Sequence, residues 1–448
     1  MESHIDAQTI NDRSQNKFSL IVLAPAHFHA VLLQKVMYPQ IDPVVHVYAP
    51  KGEGVNEYLK FINQYNNRIN DPTHWIEDIY EGPDYLRKML KGKSVPNKSI
   101  VIIAGNNRKK EEYITKTIDA GMNVLADKPM VITTSGFKQL QNDFEISQKR
   151  HLLLYDIMTE RYALTNILQK EFLHDPDIFG HLKKGTPENP SVIFKSVHYF
   201  YKEVSGQPLI RPTWYFDVHQ QGEGIVDVTT HLIDLIQWEC FPKTIFNLAK
   251  DVKIISARHW PTRLSLKQFS KVTGADSFPP FLNEEIKNGD LYVFANGEIR
   301  YTLKGIYTEV KEEWKYVAPK GSGDSFYSEI NGTKASLIIY QDKAQNYIPT
   351  LYIKPVDIKD KKWEDFLING FNKIQKSYPG ITLDKQGDSI KVVIPKNYTT
   401  SGEDQFSSVV KKYLQYLEAG SMPAWEKSFM LTKYYITTSA LKMANSGK

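Results

Sequence analysis

The sequence predicts an α/β protein: an N-terminal doubly wound parallel sheet, then a C-terminal α+β domain whose open sheet is mostly antiparallel. Two patterns carry this expectation. Over residues 18–157, short continuous apolar runs alternate with helix-like stretches, as strands buried on both faces of a parallel sheet require. Beyond residue 190, period-2 segments follow one another without crossover helices, as antiparallel strands with one wet face do. A length of 448 residues leaves room for two domains.

Taken in order, residues 1–17 form a polar tail expected to be disordered. FSLIVLA (Phe18 to Ala24) opens the first sheet, and a helical stretch follows from Ala30 to Met37. Val44 to Ala49 and Ser99 to Ala104 are further strands. Lys110 to Ala120 reads as a helix, with Asn123 to Ala126 and Leu152 to Tyr155 as the last strands of this domain, placed at 18–157. Residues 158–448 form the second domain, entered through a helix from Thr159 to Phe172. Its strands are read at Ser191 to Tyr201, Thr244 to Ala257, Asp290 to Val293, Glu298 to Gly305, Glu309 to Tyr316 and Ser336 to Tyr340. Residues 381–395 form a hairpin turning at Gln386-Gly387-Asp388, and two helices within Phe406 to Ala444 break at Gly420 to Pro423.

Composition excludes several classes. A net charge of +5 over 448 residues is too diffuse for a nucleic-acid footprint, and the short basic runs read as solvated faces. One cysteine, Cys240, rules out an internal disulfide and a cysteine-rich metal centre, and is read as buried and inert. No apolar run approaches the roughly 18 residues of a membrane helix. Met1 to Asn16 lacks an apolar signal core. The expected location is therefore cytoplasmic, or periplasmic if the sequence starts after a removed signal.

Two stretches carry chemistry. GEGIVDVTTHLIDLIQW (Gly222 to Trp238) spaces Asp227, His231 and Asp234 at i, i+4 and i+7. On an α-helix that spacing shares one face at about 100° per residue, setting a carboxylate one turn from an imidazole as an acid/base site needs. VLADKPM (Val124 to Met130) supplies Lys128 at a strand end. A third element, AHFHA, holds His27 and His29 at the i, i+2 spacing of a metal-ligand pair, but no third ligand is evident and no metal is expected.

In this order and spacing the stretches resemble the glucose–fructose oxidoreductase / inositol dehydrogenase / MocA (Gfo/Idh/MocA) family, in its branch with a putative-oxidoreductase C-terminal domain. AGMNVLADKPM resembles the family's AGKHVLxEKP, GEGIVDVTTHLIDLIQW its GGGxLxDxGxHxxD, and AGNNRKKEEYITKTIDAG its TPNxxHxxxAxxALxAG. The resemblance implies a Rossmann-type first domain that binds NAD or NADP. It implies an enzyme that transfers a hydride between nicotinamide and a sugar, polyol or glycoside hydroxyl, in one variant with the cofactor retained and recycled. Lys128, His231 and Asp227 would then be catalytic: Lys128 holding the substrate hydroxyl, His231 taking its proton near neutral pH, and Asp227 orienting the ring or binding a hydroxyl. Ala24, His27, His29, Asn106, Asn107, Asp127 and Lys128 would lie at the cofactor. Glu160, Arg161, Trp214 and Asp234 would contact substrate, as would His198, Tyr201, Lys202, Arg211 and Asp217.

Each assignment has a bland counterpart: a surface lysine, a core histidine with a capping aspartate, a structural salt bridge for Asp234 or for Glu160 and Arg161, a buried tryptophan. Two departures separate the chain from the family. LAPAHFHA (Leu23 to Ala30) replaces the GxGxxG turn whose glycines allow close approach of diphosphate, and Pro25 removes an amide. HVYAPKGEG ends the second strand without the usual ribose-binding acid; Lys51 would favour a 2′-phosphate and Glu53 would reach a ribose. The competing function is a non-catalytic ligand-binding or regulatory protein on the same scaffold. The expected partner is a small carbohydrate, with no nucleic acid and no membrane span. Pairing of the open sheet would make the protein a homo-oligomer.

Overall fold

The computed structural model describes residues 17–92, 97–204, 207–398 and 402–446; apart from Lys17, the tail expected to be disordered lies outside the described residues. Two compact units result. The first takes residues up to Val131, Lys138–Thr159 and Gly402–Lys427; the second takes Ile132–Phe137, Glu160–Ser401 and the residues from Ser428 onward.

The first unit is built on six parallel strands: β1 (Phe18–Leu23), β2 (Ile41–Ala49), β3 (Ile76–Glu81), β4 (Ser99–Ile103), β5 (Asn123–Asp127) and β6 (Leu154–Ile157). Their spatial order is β3-β2-β1-β4-β5-β6, the Rossmann arrangement. Every residue of β4 and β5 is buried, which is why these strands read as unbroken apolar runs. The connecting helices include α1 (His29–Leu32), α2 (Glu53–Asn67), α3 (Tyr85–Lys91), α4 (Lys110–Asp119) and α5 (Thr134–Lys149). The order reverses between β1 and β4, so the loops leaving their carboxyl ends diverge and open a crevice, the usual ligand position in such sheets.

The edge strand β3 is not expected from the sequence, because IEDIYE is acidic and largely exposed, with no apolar run to betray it. At the other edge, β6 is covered by the helix Gly402–Glu418 (α9), whose buried Phe406, Val409, Val410, Tyr413 and Leu414 fall at helical spacing. Tyr155 of β6 stacks on Tyr413, with ring centroids 6.0 Å apart, and its hydroxyl donates to Glu426 at 3.2 Å.

The second unit holds a mixed, mostly antiparallel sheet. Its members are β7 (Val192–Tyr201), β10 (Val252–Ser265), β11 (Ile286–Lys287), β12 (Asp290–Leu303), β13 (Ile306–Val317), β14 (Ser325–Asn331), β15 (Ala335–Gln341), β16 (Thr350–Pro355), β17 (Thr382–Gln386) and β18 (Ser389–Val393). A separate two-stranded pair joins β8 (Glu203–Val204) to β9 (Gln207–Pro208). The main order is β10-β12-β13-β7-β14-β15-β16-β18-β17, with β11 beside β12. Only the β7–β13 pair among these described strands is parallel, and the hairpin expected at residues 381–395 is β17–β18.

Two expected segments, Asp290 to Val293 and Glu298 to Gly305, are one strand, β12. The interruption in the sequence is Asn296-Gly297, and Gly297 is needed there: a Cβ would stand 2.6 Å from that of Ile225. The strand expected over Thr244 to Ala257 instead starts at Val252, after a short helix at Leu248–Asp251 capped by the Asn247 side chain. Helices α6 (Leu164–Leu173), α7 (Thr229–Cys240), α8 (Lys361–Ser377) and the Ser428 end of α10 (Ala424–Ser446) belong to the unit, as does a shorter helix at Leu266–Thr273. No described helix is long and apolar enough to cross a membrane.

Candidate active site

The two units carry the sequence-identified residues separately. In the first, β1 ends in a turn made by Ala24, Pro25 and Ala26, with Ala24 in the left-handed region at φ 46°. The Ala24 amide donates to the Tyr48 carbonyl (2.8 Å) and the Ala26 amide to the Ala104 carbonyl (3.2 Å). Small residues missing from the turn occur opposite it. A Cβ on Gly105 would lie 2.7 Å from the Ala24 carbonyl oxygen, and one on Gly54 would lie 2.6 Å from that of Pro25. The turn therefore gains its closeness from a glycine on the loop after β4 and one in the first turn of α2.

His27 and His29 follow, at the entry to α1, and meet Asp127 at the carboxyl end of β5. The Asp127 Oδ2 atom is 3.0 Å from His29 Nδ1 and 3.5 Å from His27 Nδ1. Burial would raise the Asp127 carboxyl, but the charges of His29, Lys110 and His27 and the His29 hydrogen bond outweigh it and hold it well below the carboxylate range. Burial, then the charge of His29, pushes His27 well below the usual imidazole value. Lys110 is fully buried, and its ammonium donates to the Asp127 backbone carbonyl at 2.8 Å.

Lys128 is half-buried and precedes Pro129 through a cis peptide bond. At the end of β4, the Asn106 side chain caps a short turn by accepting the Arg108 amide (3.0 Å), and Asn107 is buried. Lys51 and Glu53, past the end of β2, are both exposed.

In the second unit, the spacing argument for Asp227 needs correction. The α-helix α7 starts only at Thr229, and Asp227 precedes it with φ −100° and ψ −90°, outside helical geometry. The cause lies upstream. Gly224 packs so tightly that a Cβ there would sit 1.9 Å from the Ala295 carbonyl oxygen, and the chain crosses this contact as a 3-10 turn, Gly224–Val226. Asp227 is buried and accepts Gln221 Nε2 at 3.1 Å; its carbonyl receives the Thr230 amide and hydroxyl, joining turn to helix. His231, half-buried, lies in the first turn of α7. Gly224→Ala is expected to destabilise this unit by at least about 2 kcal/mol through overpacking, read as a lowered thermal unfolding midpoint.

Asp234, on the same helix, is 2% exposed. Arg161 grips it with Nε (2.6 Å) and Nη2 (2.7 Å), and the fully buried Lys433 adds a third contact at 2.8 Å. Burial opposes its ionisation, but Arg161 and then Lys433 outweigh that and hold it well below the carboxylate range. This geometry matches the bracing alternative for Asp234 and Arg161 more closely than direct substrate contact. Glu160 is half-buried beside Arg161, and its carbonyl accepts Asn166.

Trp214 is half-buried. Asp217 caps the Val218–Gln221 turn by accepting the His219 amide, and Arg211 donates to the carbonyls of Phe200 and Tyr199. His198 and Lys202 share Asp324, at 3.2 and 2.8 Å, an aspartate that no motif in the sequence singles out.

Sequence reasoning also misses Tyr215, Trp314 and Glu312. Arg211 lies over the rings of Tyr215 (4.7 Å) and Trp314 (5.2 Å), and Trp314 Nε1 donates to Glu312 at 2.9 Å. Burial raises the Tyr215 hydroxyl; Arg211 opposes this, and Asp227, Glu312 and Asp324 add to it. Glu312 had a readable signal: it occupies the buried phase of β13 between Val310 and Trp314, where an apolar residue would be expected. Cys240 is half-buried; burial and Glu239 raise its thiol, keeping it protonated and unreactive.

The first unit thus has the fold of a dinucleotide-binding sheet, and the second carries acid/base and ionic groups around an antiparallel sheet; together they define an oxidoreductase scaffold. The family "Putative oxidoreductase C terminal domain" matches residues 168–445, and the chain belongs to it, as a Gfo/Idh/MocA-type oxidoreductase. A crystal structure of a putative oxidoreductase from Parabacteroides merdae superposes with a TM-score of 0.94 at 47% identity, covering 97% of this chain and 98% of that one. Levoglucosan dehydrogenase in complex with NADH and L-sorbose has a TM-score of 0.59 at 12% identity, with 96% and 97% covered. The 3-ketoreductase KijD10 from Actinomadura kijaniata, in complex with NADP, has a TM-score of 0.55 at 13% identity, with 96% and 98% covered. Those last two likenesses are of fold. No significant match was found among curated proteins.

Proposed function

We propose that the protein is an NAD(P)-dependent dehydrogenase acting on a CH–OH group of a sugar, polyol or glycoside. The observation that carries this reading is the first sheet's order, which opens its crevice where β1 and β4 diverge, with the LADKP lysine following the next strand, β5. The two dehydrogenase-type neighbours with bound cofactor, one with NADH and L-sorbose and one with NADP, support the class of cofactor and substrate.

The residues present fit a dinucleotide despite the missing glycine fingerprint. Ala24, Ala26 and Gly105 keep the turn small, and among the described residues the amides of His27 and Phe28 have no hydrogen-bond acceptor, leaving two donors for a diphosphate. Asn106, Asn107 and Asp127 would line the cofactor from the ends of β4 and β5. The nicotinamide would supply or accept the hydride.

Lys128 would hold the substrate hydroxyl through its ammonium. His231 would take the hydroxyl proton as the carbon is oxidised and return it in reduction. Asp227, already held by Gln221, would fix the polar surroundings of that transfer. The first unit, including Gly402–Lys427, would form the cofactor domain and the second the substrate domain, with Glu160, Trp214, Tyr215 and Glu312 as the polar and aromatic groups that select the sugar.

The test is release of dinucleotide from the natively purified protein on denaturation, identified by mass spectrometry. Near-stoichiometric NAD(H) or NADP(H) is expected. A protein that is empty and also binds neither added dinucleotide in titration sinks the reading. The replaced glycine turn would then favour the non-catalytic ligand-binding alternative.

A further inference from the structure

The histidine pair that looked incomplete in the sequence acquires a third ligand in the fold. We infer that His27, His29 and Asp127 form a binding site for one divalent transition-metal ion, Zn²⁺ foremost. The three side chains bring one donor atom each to within 4.8 Å of one another. Two of the separations, 3.0 and 3.5 Å to the Asp127 Oδ2 atom, are those of neighbouring ligands around a cation bonded at about 2.0–2.2 Å. The two imidazoles stand edge to face, with ring centroids 4.3 Å apart at 88°, so they do not stack and each can turn a ring nitrogen to a shared centre.

A second observation points the same way. Asp127 is 5% exposed, and its Oδ1 atom is buried without a hydrogen-bond partner among the described residues. A buried carboxylate oxygen left in this state is costly unless something charged meets it. One shared proton would satisfy Oδ2 and His29, and the His29 amide donates to His27 Nδ1 at 3.4 Å, but Oδ1 would keep no partner. A metal ion engages all three side chains. The Lys110 ammonium donates to the Asp127 backbone carbonyl, and its charge, with those of the histidines, favours the ionised carboxylate a cation needs.

Two imidazoles and one carboxylate select a borderline transition ion over Mg²⁺ or Ca²⁺, which prefer all-oxygen shells. Three protein ligands leave a coordination position for an oxygen from water or from a bound molecule. The site lies where the chain leaves β1 and β5, and it shares His27 and Asp127 with the proposed dinucleotide position.

The full chain would be stripped with a chelator, shown free of metal by elemental analysis, then titrated with Co²⁺ and with Zn²⁺. The expected result is one equivalent bound per chain, with visible Co²⁺ bands of an ordered nitrogen–oxygen site displaced by Zn²⁺. His27→Ala and His29→Ala should each weaken Zn²⁺ binding at least about tenfold, and circular dichroism would verify that each variant is folded. Absence of saturable binding overturns the site. So does binding that survives the combined His27→Ala/His29→Ala substitution, which would place the ion elsewhere. Should the variants not fold, the histidine ring NMR signals of the unaltered protein decide: Zn²⁺ must shift two histidines at one equivalent, and fewer refutes the assignment. Dinucleotide content, measured separately, reports on the cofactor whether or not the metal binds.

Discussion

Lys128→Met is expected to lower kcat by about 10²- to 10⁴-fold, or roughly 3–5 kcal/mol of barrier, on the best substrate of the unaltered protein. Methionine keeps the length and apolar stem of lysine but removes the ammonium that would hold the substrate hydroxyl. Lys128 is half-buried just past β5, whose residues are all buried, so the change meets the site more than the core. Single-turnover reduction of bound cofactor by a panel of sugars and polyols measures the effect. Retained circular dichroism and dinucleotide content would show that the loss is chemical. An unchanged rate removes Lys128 from the mechanism. If the unaltered protein binds a sugar but never turns it over, the ligand-binding alternative takes its place.

Asp234→Asn is expected to cost about 3–5 kcal/mol of stability, because the buried Arg161 and Lys433 charges lose the carboxylate that neutralises them. Asparagine preserves shape, so the loss reports charge and not a cavity. The pH dependence has a fixed sign. Burial opposes ionisation, but Arg161 and Lys433 depress the folded-state pKa below the unfolded value of about 3.9. The stabilisation is therefore fully present above about pH 4 and fades as pH falls further towards the folded pKa. Thermal unfolding of both proteins at neutral pH and stepwise into acid would show a wide gap that narrows below about pH 4. A variant as stable as the parent at neutral pH would show that the buried triad contributes nothing net.

Much of the fold was legible because its signals are local. The continuous runs of β4 and β5 follow from burial on both faces, and the alternation in β7 and β13 from having one wetter face. The acidic edge strand β3 escaped because an exposed edge needs no apolar run. The motif around His231 was visible, but helical spacing does not extend as far upstream as Asp227. The contact between Gly224 and the Ala295 carbonyl delays the helix until Thr229, and no window centred on Asp227 contains Ala295. Glu312 left a faint trace, as a charge on the buried phase of a strand.

What the sequence determined by itself was the phase of the elements with an apolar face, the order of the motifs and the absence of the glycine fingerprint. Periodicity encodes which face is apolar, and a motif's residue types and spacing lie along the chain. Only the tertiary structure decided which polar groups meet once buried. His29 reaches Asp127 across 98 residues, Arg161 reaches Asp234 across 73, and Lys433 reaches the same carboxylate across 199. A buried charge must find a partner, but the energy that demands one does not depend on separation along the chain. The identity of that partner is set by the packing of distant elements.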